Sequence, residues 1–329
     1  MLNEQIRELA AHCERFKTPV AWRATSQIIT TVVPFLALLT AMYFSLDVSY
    51  WLTLVLAVPA GGLLVRFFII QHDCGHGSFF ASKKVNDITG RLVSILTLTP
   101  YAYWRRSHAL HHASSANLDR RGIGDITTLT VEEYKALPLI QRIGYRIYRN
   151  PFFLTTVGGV LHFLVIQRLP LVVQRPSREM ALSVLLLDAA MLVVYGTLIY
   201  FLGWTDFLLL AAPMVLVASA AGVWLFYIQH QFEETHWSSE PEWDRKTAAV
   251  LGSSYYDLPK VLDWFTGNIG LHHIHHLCSQ IPNYRLQECM AARPELATIN
   301  RMTIWESLKC ANLALWDERS KRLVPFGAV

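Results

Sequence analysis

The stretch "QHDCGHGSFF", residues 71–80, follows directly on some twenty apolar residues and places His72 and His76 four apart. A helix that merely ended in polar residues would need no such pair, whereas a metal site would. Positions three and four apart share one face of a helix. Two further groups follow, "HALHH" at 108–112 and "LHHIHH" at 271–276. His108, His111 and His112 are spaced i, i+3, i+4, and His272, His275 and His276 repeat that spacing. His273 breaks the face and is read as pointing elsewhere.

The apolar run before His72 sets the fold. Of the 329 residues, 53% are hydrophobic and only 16% charged, against about 25% charged in soluble domains. A membrane span needs about 20 apolar residues, because the hydrocarbon core is about 30 Å thick. Four segments qualify, at 26–46, 50–71, 181–202 and 206–229, and each is nearly free of charge. The exceptions are Arg66, one to two turns before His72, and Asp188, read as a hydrogen-bonded acid near the interface. The stretches 88–104 and 152–173 are shorter or more interrupted, and are expected to lie at the interface or dip into it. If only one of them crossed, the histidine groups would fall on opposite sides of the membrane.

Orientation follows from Lys and Arg. None occurs between Ser26 and Val65 or between Ala181 and His230, so both hairpin loops lack positive charge. Positive residues mark the cytoplasmic face. An integral inner-membrane location is therefore expected, with both termini and the histidines cytoplasmic and no cleavable signal peptide. The expected fold is all-α: one domain over 1–329, with four transmembrane helices, interfacial helices and a cytoplasmic helical cap from 72–180 and 230–329. The five cysteines form no C-x-x-C pair and are expected as free thiols, with Cys74 a packing residue. The net charge of +4 suits an anionic membrane surface, and no nucleic-acid partner is expected.

At a His frequency near 4%, one H-x-x-H-H is expected by chance about 0.02 times in this length, so two are a signal. His230 ends the fourth apolar segment, in "YIQHQFEETHW". His12, His162 and His236 are read as ordinary polar residues. Neutral imidazole suits zinc, copper, iron and nickel. A single zinc takes about four ligands, and eight or nine histidines are about right for two ions. A histidine-rich dimetal site open to oxygen fits best, with iron as occupant. Thiolates are absent from the faces, as are the Glu-x-x-His pairs of soluble di-iron bundles.

"HDCGH", "HALHH" and "HHIHH", interleaved with paired spans, resemble the three histidine boxes of the integral-membrane fatty acid desaturases. The likeness runs from about residue 25 to 290 and is strongest to the bacterial acyl-lipid branch that includes delta-12-type enzymes. It implies that His72, His76, His108, His111, His112, His272, His275 and His276 bind two iron ions, with His230 as ninth ligand. It also implies insertion of a double bond into a fatty acyl chain using molecular oxygen and two electrons. Some relatives carry an Asn one turn before the ninth histidine, where this chain has Phe226. Asn268 and Asp125 are candidates to support the ligands.

An unactivated methylene offers side-chain acids and bases nothing to act on, so a metal must activate oxygen. Imidazole ligands also resist oxidation better than thiolates. The substrate is expected to be a fatty acyl lipid or acyl thioester sliding in from the membrane lipids past Trp104, Tyr101, Tyr103, Trp264 and Phe265. The chain carries neither a dinucleotide fingerprint nor an H-P-G-G haem motif, so a ferredoxin or cytochrome-type donor is implied. Lys83, Lys84, Arg105, Arg106, Arg120 and Arg121 are placed to steer such a donor or to meet the membrane surface. Oxygen rebound on the same scaffold would make a hydroxylase or ketolase. A membrane metal transporter is the rival from another class, but it should carry ionisable ligands at mid-bilayer, whereas these histidines sit at the ends of bare spans.

Overall fold

The four apolar segments form two helical hairpins. Ala21–Ser45 and Tyr50–His76 are joined by residues 46–49, and Arg178–Leu202 and Trp204–His230 meet at Gly203. The computed structural model describes residues 2–122, 124–169 and 176–329, and it is predominantly helical. Tyr50–His76 is the central helix, packed against both Ala21–Ser45 and Trp204–His230. Arg178–Leu202 turns Leu185, Leu192, Tyr200 and Phe201 outward, as a helix facing lipid does.

The helices outrun the apolar segments. Tyr50–His76 continues through both histidines of the first box and stops at Gly77, whose φ of 70° closes the helix with N–H bonds to the Asp73 and Cys74 carbonyls. Trp204–His230 likewise carries its histidine at its last residue. Each histidine thus rides a continuous helix that is anchored below by packing.

The 88–104 stretch is a helical hairpin. Lys83–Thr97 runs inward and Tyr101–Ser114 runs back. Its tip is pinned by Gln71, whose Nε2 donates to the Thr99 carbonyl at 3.1 Å and whose Oε1 accepts from the Thr97 hydroxyl. The 3.3 Å bond from Arg168 Nη1 to the Leu98 carbonyl adds a third tie.

Among the described residues five helices are long and apolar enough to cross a membrane, the fifth being Pro151–Arg168. Its mean hydropathy of 1.2 is the lowest of the five, the others lying between 1.9 and 2.2. Gly159 packs on Ser219 and Val223, the Phe163 ring lies 6.1 Å from that of Phe68, and Arg168 Nε pairs with Asp188 at 2.9 Å. Each of these partners lies in the half of its helix nearer the histidines. Residues 170–173, the end of the 152–173 stretch expected at the interface, lie outside the described residues.

Asp188 is thus an ion-paired acid. Arg66 is buried, donates to Thr31 Oγ1 at 3.1 Å and to the Trp264 carbonyl, and lies 4.2 Å from the Trp264 ring centroid. The cap carries two small sheets that the sequence reading lacks. Leu129–Thr130 runs parallel to Leu313–Asp317, which pairs antiparallel with Arg322–Pro325; Tyr255–Asp257 runs parallel to Arg301–Thr303. All five cysteines are free and buried, and Cys74 packs beside Ile70, Phe79 and Tyr101.

Candidate metal centre

Four segments deliver the nine histidines to one place, with Trp204–His230 bringing His230 at its last residue. Tyr50–His76 brings His72 and His76, Tyr101–Ser114 brings His108, His111 and His112, and the short helix His272–Leu277 brings His272, His275 and His276. The last helix is oriented by its other face. Ile274 is fully buried, and His273 Nε2 bonds the Leu296 carbonyl at 2.9 Å, which turns it away from the cluster. His12 bonds the Cys289 carbonyl and His162 bonds Gln167, while His236 is half-buried.

The nine rings divide into two groups that could each hold a metal ion. One is His72, His76, His108, His112 and His275; the other is His111, His230, His272 and His276. Within each group one nitrogen per ring lies within 4.8 Å of all the others. The groups touch where His112 stacks on His276, with centroids 4.1 Å apart.

Hydrogen bonds at the far ring nitrogens decide which nitrogen faces the centre. His230 Nδ1 lies 2.9 Å from the Gly252 carbonyl, which only accepts, so Nδ1 carries the proton. His111 Nδ1 bonds the Asp125 carboxylate, and His72 Nδ1 bonds Asp73 Oδ1 at 2.9 Å. A ring protonated at Nδ1 alone leaves its Nε2 lone pair bare. His111 Nε2 and His230 Nε2 nevertheless face each other at 3.2 Å, with His272 Nε2 3.1 Å from His230 Nε2. Two bare lone pairs at this distance in a buried site repel unless a shared cation draws them together.

The spacing suits such a cation. Metal–imidazole bonds of ~2.1 Å separate ligand nitrogens by about 3.0 Å at right angles and about 3.4 Å at tetrahedral angles. The second-group separations of 3.2 and 3.1 Å fall in that window. In the first group, His112 Nε2 lies 3.1 Å from His108 Nε2 and 3.0 Å from His275 Nε2. His76 Nε2 and His276 Nε2 are buried with no hydrogen-bond partner, which is costly for a polar atom unless an ion satisfies it.

Electrostatics favours the neutral, metal-binding form. The imidazoles of His108, His112, His272, His275 and His276 are held well below their ordinary pKa, first by burial and then by the neighbouring imidazoles.

Of the supporting residues read from the sequence, Asp125 reaches His111 and Asn268 does not: its Nδ2 bonds the Asn283 carbonyl at 3.2 Å, in a turn where its φ is 59°. Asp73 was not singled out. Its Oδ2 takes the Asn283 N–H at 2.6 Å and the Asn283 Nδ2–H at 2.8 Å. The signal that could have found it is its place inside the first box, beside a candidate ligand.

Trp104 stacks on His108 with centroids 4.6 Å apart, and Phe68 and Phe163 continue the aromatic wall into the helices. Tyr101 and Tyr103 are buried, with their hydroxyls on the Cys74 and Leu169 carbonyls, while Trp264 and Phe265 pack by Arg66 and Gly62. Phe226 lies 5.4 Å from the His111 ring and 5.9 Å from that of His230. Beside it is a cavity of about 10 Å³ lined by Asp125, Phe226, His230 and Trp237, where Asp125 Oδ2 and Trp237 Nε1 have no partner. Lys83, Arg105, Arg120 and Arg121 are ion-paired with Asp87, Asp87 and Glu179, Glu240, and Glu133 respectively, whereas Lys84 and Arg106 are exposed.

Residues 49–307 match the family model described as fatty acid desaturase. A fatty acid desaturase of Bacillus subtilis (strain 168) is 42% identical over 98% of this chain and 91% of its own length. The sn-1 oleoyl-lipid 12-desaturase of Synechocystis sp. is 25% identical over 87% of this chain and 79% of its own. The sn-1 acyl-lipid omega-3 desaturase (ferredoxin) of Nostoc sp. (strain 36) is 30% identical over 75% and 70%.

Proposed function

The chain belongs to the fatty acid desaturase family, and from that premise we propose that it inserts a double bond into a fatty acyl chain of a membrane lipid at two iron ions held by nine histidines. His72, His76, His108, His112 and His275 hold one ion, and His111, His230, His272 and His276 hold the other. The observation that carries this is the close facing of His111 Nε2 and His230 Nε2, 3.2 Å apart in a buried site.

The balanced reaction takes the acyl chain, one dioxygen, two electrons and two protons to the alkene and two waters. Bound iron supplies the oxygen activation that an unactivated methylene requires. The chain's own residues hold and shield. Asp73, Asp125 and the Gly252 carbonyl fix the protonated nitrogen of His72, His111 and His230, and so aim each Nε2 lone pair. Trp104, Phe68 and Phe163 form the apolar wall along which the acyl chain lies. Burial of the rings excludes water from the reacting methylene.

The proposed topology is one domain with four spans, with Pro151–Arg168 dipping into the membrane and returning. The packing of Gly159 on Ser219 and Val223 and of Phe163 near Phe68, all in the histidine-side halves of their helices, supports this. The Lys and Arg distribution supports a cytoplasmic side of the inner membrane for both termini and the site. The names of the Synechocystis and Nostoc relatives support a glycerolipid-bound acyl substrate and a ferredoxin donor.

The test is expression with a ferredoxin in a host of simple fatty acid profile, followed by gas chromatography–mass spectrometry with double-bond location. A new unsaturated acid that is lost in His111→Ala is expected. A hydroxy acid instead would replace desaturation with hydroxylation. Absence of any new product, together with purified protein that retains no iron, would overturn the proposal.

A further inference from the structure

The Leu139–Tyr148 helix has two apolar faces where a cap helix should have one. Inward, the Tyr145 hydroxyl donates to the Ala314 carbonyl at 2.7 Å and accepts from the Leu129 N–H at 3.0 Å. Outward, Leu139 and Ile140 are 73% and 74% exposed, and Ile143 and Ile147 are exposed beside them. At 3.6 residues per turn these four fall within about 100° of arc, roughly opposite Tyr145. An unbroken Leu/Ile stripe on an outward face calls for an apolar cover.

Two observations identify the cover. The stripe continues into Phe152, 76% exposed at the start of the membrane-type helix Pro151–Arg168, and an open groove of about 290 Å³ lined by Ile143, Arg146, Ile147, Asn150 and Phe153 joins the two. Along one edge of the stripe run Arg142 and Arg146. Arg142 donates to the Leu137 and Lys135 carbonyls and Arg146 to the Tyr134 hydroxyl, and neither has a carboxylate partner among the described residues. Apolar residues rimmed by unneutralised arginines, continuous with lipid-facing helix, match an anionic bilayer surface.

We propose that Leu139–Tyr148 lies flat in the surface of an anionic phospholipid leaflet, its Leu/Ile stripe among the acyl chains and Arg142 and Arg146 at the lipid phosphates. The seat is tied to the metal centre. Arg149, one residue past the helix and fully buried, donates to Gln231 Oε1 at 2.7 Å, to Thr128 Oγ1 at 3.2 Å and to the Leu313 carbonyl at 2.8 Å. Gln231 follows His230, and Thr128 lies three residues past Asp125, the partner of His111. The helix therefore sets the height of the four-histidine group above the lipid.

Spin labels on the full-length chain test this, since the native cysteines are all buried and a cysteine at an exposed position labels selectively. Ile140→Cys, Ile143→Cys and Gln141→Cys are labelled and placed in nanodiscs of mixed phosphatidylglycerol and phosphatidylcholine. Collisional relaxation is then measured with oxygen and with a water-soluble nickel chelate. The oxygen-to-nickel ratio is expected to be several-fold higher at 140 and 143 than at 141. Equal nickel access at all three positions, or shielding of 140 and 143 from both agents as under a protein partner, would overturn the seat. Omitting phosphatidylglycerol, or combining Arg142→Gln with Arg146→Gln, is expected to lower the ratio at 140. No change in either arm would overturn the anionic-lipid assignment.

Discussion

Asp73 joins the first and third histidine boxes: one carboxylate oxygen accepts from His72 Nδ1 at 2.9 Å, and the other takes two N–H groups of Asn283. All three residues are buried. The pair Asp73–Asn283 thus locks the helix bearing His72 to the segment that follows His272–Leu277. Asp73→Asn keeps the shape but offers one acceptor and one donor group where three N–H donors converge, so a donor faces a donor. Loss of such a supporting partner costs about 10–100-fold in metal affinity or activity. The expected result is that loss with the protein still inserted in the membrane, read as iron per chain on purified protein. Unchanged iron content would remove Asp73 from its positioning role.

His230 is the only ligand candidate from Trp204–His230, and its Nε2 lies between those of His111 and His272. Its group has four histidines against five in the other. Replacing it by Ala should empty one site and leave the other nearly intact. Iron content should fall by about half and activity by more than about 100-fold, beyond the range for a merely supporting residue. Iron lost wholly, or not at all, would argue against two separable sites.

The hairpins and the histidine groups were legible because their signals are local: a run of some twenty apolar residues, and imidazoles three and four apart. What escaped is long-range. Asp73 and Asn283 are 210 positions apart in the chain, and nothing near either residue announces the other. The cap strands are two to five residues long, too short for an alternating pattern to register. Leu139–Tyr148 escaped for a different reason. Its apolar residues serve two opposite faces, and Arg142 and Arg146 interrupt the run that a search for spans would follow. The position of Asp188 in an apolar segment predicts an interfacial hydrogen-bonded acid, and Arg168 is its partner in the structure.

The buried histidines make the metal-free protein acid-sensitive. His108, His112, His272, His275 and His276 are held neutral in the fold, below their ordinary value, by burial and by one another. Unfolding frees them to take protons at about 6.5, so below that pH the unfolded chain binds more protons than the folded one. Stability is then fully present above the unfolded value and lost as pH falls through it, each group adding up to about 1.4 kcal/mol per pH unit. Thermal unfolding of chelator-stripped protein in detergent, from about pH 8 to pH 5, should show the melting temperature falling below pH 6.5. Iron-loaded protein should hold to lower pH, because metal and proton compete for the same nitrogens. A flat profile for the stripped protein would contradict the buried neutral cluster.

Gly90 sits where the inward helix of the 83–114 hairpin meets its return. A Cβ there would collide with the Tyr101 ring at Cε2. Tyr101 cannot swing aside freely, since it is buried with its hydroxyl on the Cys74 carbonyl at 2.8 Å. Cys74 lies between His72 and His76, and Tyr101 opens the helix that carries His108, His111 and His112. Gly90→Ala should therefore push apart the two helices that bring the first and second boxes together. Overpacking of this kind costs about 1–3 kcal/mol, and a lower melting temperature with reduced iron retention is the expected outcome. Gly144→Ala, in the cap helix where an added Cβ meets nothing within 4 Å, is the control that should leave iron retention unchanged. If both variants keep full iron, contact between Gly90 and Tyr101 does not set the spacing of the boxes.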